Sequence, residues 1–110
     1  MQKDFKIAVL LDCYGDLLTT KQRTVIDLYY NHDLSLAEIA ENLCVTRQAV
    51  RDAIMHAQIQ LVETEEKLGF VKRLEQIDSA LHLIRSAAEQ LPDSQQKKCI
   101  LALANLTKEE

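Results

Sequence analysis

Apolar residues return along this chain at intervals of three and four, the period of a helix with one buried face. Ile7, Leu10, Leu11, Tyr14, Leu17 and Leu18 mark a first amphipathic helix, its end softened by Gly15 and Asp16. Thr19 stands three residues before Gln22, a capping-box spacing that starts a second helix with the apolar face Val25, Ile26, Leu28 and Tyr29. Asn31, His32 and Asp33 favour a turn and close it. Ser35 with Glu38 repeats the capping box and opens a short third helix, whose inward positions are Leu36, Ile39, Ala40 and Leu43. Cys44, Val45 and Thr46 read as a tight turn, with Thr46 as the N-cap of a fourth helix from Arg47 to Leu68. Gly69 stands where glycine favours the end of a helix.

A fifth helix carries the most regular pattern. Phe70, Leu74, Ile77, Leu81, Ile84, Ala88 and Leu91 alternate spacings of four and three, a heptad seam that stops before Pro92. Asp93 with Gln96 is read as the cap of a last short helix bearing Cys99, Ile100, Leu103 and Leu106. The seam of helix four (Val50, Ile54, Ala57, Leu61, Leu68) does not continue in phase into helix five. Either Gly69 breaks the chain there, or one long helix contains a register shift. The fold class is therefore all-α, a helix-turn-helix bundle followed by long C-terminal helices. The expected division lies near residue 62, giving a helix-turn-helix domain (1–62) and a helical dimerisation or interaction region (63–110). The acidic run Glu63-Thr64-Glu65-Glu66-Lys67 at that point reads as a solvated helix face.

Short helix, three-residue turn and longer helix form the helix-turn-helix arrangement. Ala40 would let the two helices cross closely, and Ile39, Leu43, Val45, Val50 and Ile54 would supply their shared core. On a helical wheel Val50, Ala53, Ile54, Ala57 and Leu61 cluster on one side of helix four, leaving Arg47, Gln48, Arg51 and Asp52 on others. In a recognition helix those first turns enter the major groove. Arg47 or Arg51 could hold guanine and Gln48 adenine, each bidentate contact being worth about 1–3 kcal/mol of discrimination. Thr46, Lys21 and Arg23 are the candidates for phosphate contacts that set register. The same arginines and glutamine would equally serve as an ordinary solvated face. Further along helix four, Met55, Ile59 and Val62 lie opposite Val50 and Leu61, so this half is apolar on two sides. With Phe70, Leu74, Ile77, Leu81 and Ile84 of the seam, they form the candidate interface of a homodimer. Packing among helices four, five and six of a single chain is the alternative.

Composition narrows the function. The 110 residues include only two glycines and one proline, too few for a turn-rich β-protein. Formal net charge is −4, whereas a protein that lives by gripping phosphate is usually basic. Over residues 20–62 Lys21, Arg23, Arg47 and Arg51 face Asp27, Asp33, Glu38, Glu41 and Asp52, a net of −1. Non-specific DNA affinity should then be weak and salt-sensitive, and dimerisation would compensate by doubling the contacts. Residues 63–91 net −2, which suits a basic protein partner. Cys13, Cys44 and Cys99 are odd in number and lack CxxC spacing, so they read as small buried residues of a reducing compartment. The N-terminal apolar run is broken by Asp12 and is a poor signal peptide, and no run approaches the ~18 apolar residues that span a bilayer. The protein is expected to be cytoplasmic, without membrane insertion. It has no GxxxxGK[ST] loop and no HExxH helix; His32, His56 and His82 are scattered, and no carboxylate pair stands out. No enzyme activity, cofactor or metal is expected.

The stretch LLTTKQRTVIDLYYNHDLSLAEIAENLCVTRQAVRDAI resembles the DNA-binding region four of bacterial sigma factors. More closely, LLTTKQR (17–23), DLYYNHDLSLAEIAE (27–41) and VTRQAVRD (45–52) resemble the YlxM family of small helix-turn-helix proteins. That resemblance implies an all-helical, dimeric protein. Genes of the family typically neighbour those of the signal recognition particle, which implies a role in that pathway, with the particle's RNA or its GTPases as partners. Two readings follow: a regulator that binds duplex DNA, or an accessory module that contacts signal recognition particle RNA or protein. Cys44 stands where helix-turn-helix proteins most often have glycine, so its turn is expected to differ from the standard one.

Overall fold

The computed structural model describes residues 3–106, and every regular element among them is helical. In chain order these are α1 (Phe5–Tyr14), a 3-10 turn (Gly15–Leu17), α2 (Thr20–Tyr30), α3 (Leu36–Leu43), α4 (Arg47–Leu68), α5 (Phe70–Glu89) and α6 (Gln95–Ala104). The chain is all-α, as its periodicity requires. It forms two compact units, one ending at Val71 and one beginning at Lys72. The change of charge near residue 62 is no boundary of structure. Residues 63–67 contain no helix breaker, and α4 runs through them to Leu68.

In the first unit both capping boxes form. Thr19 Oγ1 accepts from the Gln22 N–H (3.2 Å) while Gln22 Oε1 accepts from the Thr19 N–H (3.3 Å). Ser35 and Glu38 exchange the same pair at 3.1 Å each. These bonds satisfy amide donors that a helix start would otherwise leave orphaned. α1 stops earlier than its apolar pattern suggests. After Tyr14 the chain tightens into the 3-10 turn, which buries Leu18 and leaves Leu17 in solvent.

The interior is organised by α4. Val50 and Ile54 join Val25, Tyr29, Ile39 and Ala40 in one cluster. Ala57 and Leu61 join Ile7, Leu10, Leu11, Tyr14, Leu18, Ile26 and Val71 in a second. Spacings of four, three and four put all four α4 residues on one face, so a single stripe seals both clusters. Ile26, Ile39 and Ile54 are fully enclosed, and burial of such a side chain is worth about 1.5–3 kcal/mol. Leu43 and Val45, expected in this core, are instead 37% and 40% exposed. Ala40 and Val50 fill the helix crossing, and the residues on either side of the turn are held at its rim.

Gly69 decides the question left open between helices four and five. Its φ of 65° is left-handed, and its N–H donates to the Glu65 carbonyl (2.8 Å), so α4 ends and α5 starts anew. No atom lies within 4 Å of where its Cβ would be, so the dihedral alone requires glycine. The amides that open α5 are satisfied from a distance. Tyr14 Oη accepts from the Phe70 N–H (3.1 Å) and donates to Glu65 Oε1 (2.6 Å), which also accepts from the Val71 N–H (3.1 Å). Burial, reinforced by the Glu65 carboxylate, raises the Tyr14 hydroxyl above the usual phenol range. Glu65 is therefore an internal acceptor and not a member of a merely solvated acidic run.

In the second unit only Ala88 and Ala104 are buried among the described residues. Arg85 donates from Nη1 to the Ala104 carbonyl (3.0 Å), satisfying an orphan acceptor at the end of α6. The cap of α6 is shifted one residue from the expected position. Ser94 Oγ accepts from the Lys97 N–H (3.1 Å), while Asp93 pairs with the Lys97 ammonium (3.5 Å) and so is drawn away from the backbone.

The three cysteines, expected to be buried, are all exposed free thiols. Larger apolar neighbours take the interior positions, such as Leu10 and Tyr14 beside Cys13.

Candidate nucleic-acid interface

α3 and α4 are joined by a turn of standard type, despite its cysteine. Cys44 adopts the left-handed conformation (φ 56°, ψ 44°) that glycine favours. The Val45 N–H donates to the Ala40 carbonyl (3.0 Å) and the Cys44 N–H to that of Glu41 (3.3 Å). This is the paired closure of a Schellman motif. The expectation of a non-standard turn is overturned. The hydrogen bonds and the packing of α3 on α4 hold Cys44 in a conformation its Cβ disfavours.

Thr46 then caps α4, its Oγ1 accepting from the Ala49 N–H (3.0 Å). The cap fixes the first two turns, on which Arg47, Gln48 and Arg51 are all exposed. Neither arginine takes part in an ion pair among the described residues. Their guanidinium groups are unspent donors at the open N-terminal end of a helix, where the partial positive charge of the backbone favours an anion. Gln48 is already engaged. Its Nε2 donates to Asp52 Oδ1 (2.8 Å), one helical turn on. Sequence reasoning placed Asp52 beside the arginines but missed this bond; the i, i+4 spacing was the available signal.

The two lysine and arginine candidates of α2 divide. Lys21 is exposed and lines a depression of about 260 Å³ with Thr24, Val25, Leu43, Val45, Ala49 and Val50. It therefore stands beside the turn and the start of α4. Arg23 is turned to the Asp16 carboxylate, with which it forms an ion pair. A phosphate would have to compete with that pairing.

The apolar candidates of α4 lie on later turns than Arg47, Gln48 and Arg51. On α4, Met55, Ile59 and Val62 are exposed, opposite the buried Ile54, Ala57 and Leu61. On α5, Phe70, Leu74, Ile77 and Ile84 are between 40% and 58% exposed, and Leu81 is half-buried. The described residues contain no group of three His, Cys, Asp or Glu able to hold a metal ion. No helix among them is long and apolar enough to cross a membrane.

Residues 1–101 match the family described as "Putative helix-turn-helix protein, YlxM / p13 like". A UPF0122 protein of Clostridium kluyveri is 50% identical over 78 residues, covering 71% of this chain and 70% of its own. One of Acetivibrio thermocellus is 48% identical over 86 residues, covering 77% and 74%. One of a Thermoanaerobacter species is 41% identical over 104 residues, covering 94% and 89%.

Proposed function

This chain belongs to the YlxM/p13-like helix-turn-helix family, and from that membership we propose that it is a regulatory protein that binds duplex DNA as a homodimer. The observation that carries the reading is the pair Arg47 and Arg51, exposed on the first two turns of a capped α4 and in no ion pair among the described residues. Those turns enter the major groove, Arg47 and Arg51 address guanine, and Gln48 addresses adenine with its amide steadied by Asp52. Lys21 and the Thr46 hydroxyl contact phosphate, and Arg23 joins them only by leaving Asp16. The exposed residues Met55, Ile59 and Val62 of α4, with the α5 seam, join two copies.

A second reading has its own support. The net charge of −4, and Asp52 within the recognition turns, weaken any grip on a polyanion. An accessory module in the cytoplasm that contacts a signal recognition particle protein fits that balance better, whereas contact with the particle RNA meets the same charge opposition as DNA. Fluorescence-anisotropy titrations separate the two, using pooled genomic duplex fragments and the particle RNA at low and moderate salt. The DNA reading expects salt-sensitive duplex binding by the wild type that is lost in the Arg47→Ala/Arg51→Ala variant with its helicity unchanged. Equal duplex binding by that variant overturns the recognition-helix assignment. No duplex binding at either salt overturns the DNA reading altogether.

A further inference from the structure

Beyond Val71, which joins the core of the first unit, α5 is an amphipathic helix whose apolar seam is largely exposed. Its core positions fall into two sets, Leu74, Leu81 and Ala88 at heptad position a, and Phe70, Ile77 and Ile84 at d. Of these six only Ala88 is buried. A unit of this size, whose buried apolar residues among those described are Ala88 and Ala104, lacks the core that small domains need and requires covering from outside. The regular 3.5-residue period says that the cover is another helix carrying the same period. The residues flanking the seam say which helix. Positions e and g hold three charged groups within α5: Arg73 at g, and Asp78 and Arg85 at e. Arg85 is committed to the Ala104 carbonyl, whereas Arg73 and Asp78 are exposed and in no ion pair among the described residues.

We propose that α5 pairs with α5 of a second copy, parallel and in register, with Arg73 of each chain facing Asp78 of the other. The proposal rests on the homodimer reading above and adds its orientation. In a parallel pair a residue at g meets the e residue five positions later on the partner, and Arg73 to Asp78 is that spacing. The two-fold symmetry makes this ion pair twice. An antiparallel pair that keeps the seam fully overlapped sets Leu74 against Ile84 and Ile77 against Leu81. It also brings e against e at its centre, so each Asp78 would face the other. One surface thus offers two attractive contacts in one orientation and a like-charge contact in the reverse. Leucine at a with isoleucine at d suits a core of four helices, and two copies contribute four if α6 joins with its exposed Leu103.

The full chain with Cys13, Cys44 and Cys99 replaced by serine is the background for the test, and sedimentation gives its mass. Leu81→Cys in that background should form a disulfide-linked dimer on mild oxidation, because identical a positions meet only in parallel, in-register pairing. Asp78→Ser should weaken the dimer about fivefold, and Arg73→Asp with Asp78→Arg together should restore it. A dimer in which Asp78→Ser tightens association, and in which Leu74→Cys links to Ile84→Cys rather than to itself, overturns the parallel register while the homodimer stands. A monomer at every concentration overturns both. The charge variants leave the apolar seam intact, so they decide the matter even if Leu81→Cys fails to fold.

Discussion

The unit ending at Val71 and the unit beginning at Lys72 are both helical, but they use their apolar residues in opposite ways. In the first, spacings of three and four on α1, α2, α3 and α4 converge, and Ile26, Ile39 and Ile54 lose all contact with water. In the second, α5 has a stripe at least as regular, yet Leu74, Ile77 and Ile84 remain 40–58% exposed. Periodicity announces that a helix has an apolar side. It does not say that the same chain will cover it. The first unit shows helices finding one another, and the second shows a helix whose regular stripe stays largely exposed among the described residues.

The sharpest way to break this contrast is a matched pair of truncations. Ile54→Ala should lose about 2–5 kcal/mol of stability, since it opens a cavity in an enclosed cluster. Ile84→Ala, measured by denaturation at a dilution where the chain is monomeric, should change stability by no more than about 0.5 kcal/mol. Comparable losses would mean that the second unit has an interior after all.

The helix break at Gly69 offers a second test of the contrast. Tyr14→Phe removes the acceptor of the Phe70 N–H and the donor to Glu65. It should cost about 1–3 kcal/mol and speed amide exchange at Phe70 and Val71 while leaving α6 unchanged. Exchange that rises equally throughout α5 and α6 would show that these bonds support the second unit as much as the first.

The smallest expected effect concerns two left-handed residues. Cys44→Gly relieves a side chain held at φ 56° and should gain up to about 1 kcal/mol, after the entropy glycine loses on folding. Gly69→Ala imposes the same strain at φ 65° and should lose about 1–2 kcal/mol. Thermal unfolding of both variants reads the two signs. A loss in Cys44→Gly would mean that the thiol contributes a contact worth more than the strain.

Much of the fold was legible in the residues. Thr19 with Gln22, Ser35 with Glu38, and Thr46 marked helix starts because capping is local chemistry, settled by groups three or four residues apart. The exposure of Arg47, Gln48 and Arg51 followed from the wheel for the same reason. The role of Glu65 was not legible. Its partner Tyr14 lies 51 residues away, and nothing in the acidic run distinguishes the carboxylate that turns inward. Nor could Arg23 be separated from Lys21, since only the folded chain brings Asp16 to one and the apolar depression to the other. Leu43 and Val45 were misplaced because hydrophobicity at a turn gives no direction.

By itself the sequence determined the capped helix starts at Thr19, Ser35 and Thr46 and which side of each helix is apolar. These depend on backbone hydrogen bonding and on a period of 3.6 residues, both short-ranged. Tertiary structure alone decided that Cys44 accepts a left-handed turn, that Tyr14 and Glu65 close the start of α5, and that the α4 stripe is buried while most of the α5 seam stays exposed among the described residues. Those outcomes depend on which surfaces meet, and the energy of a surface is defined only when its neighbour is in place.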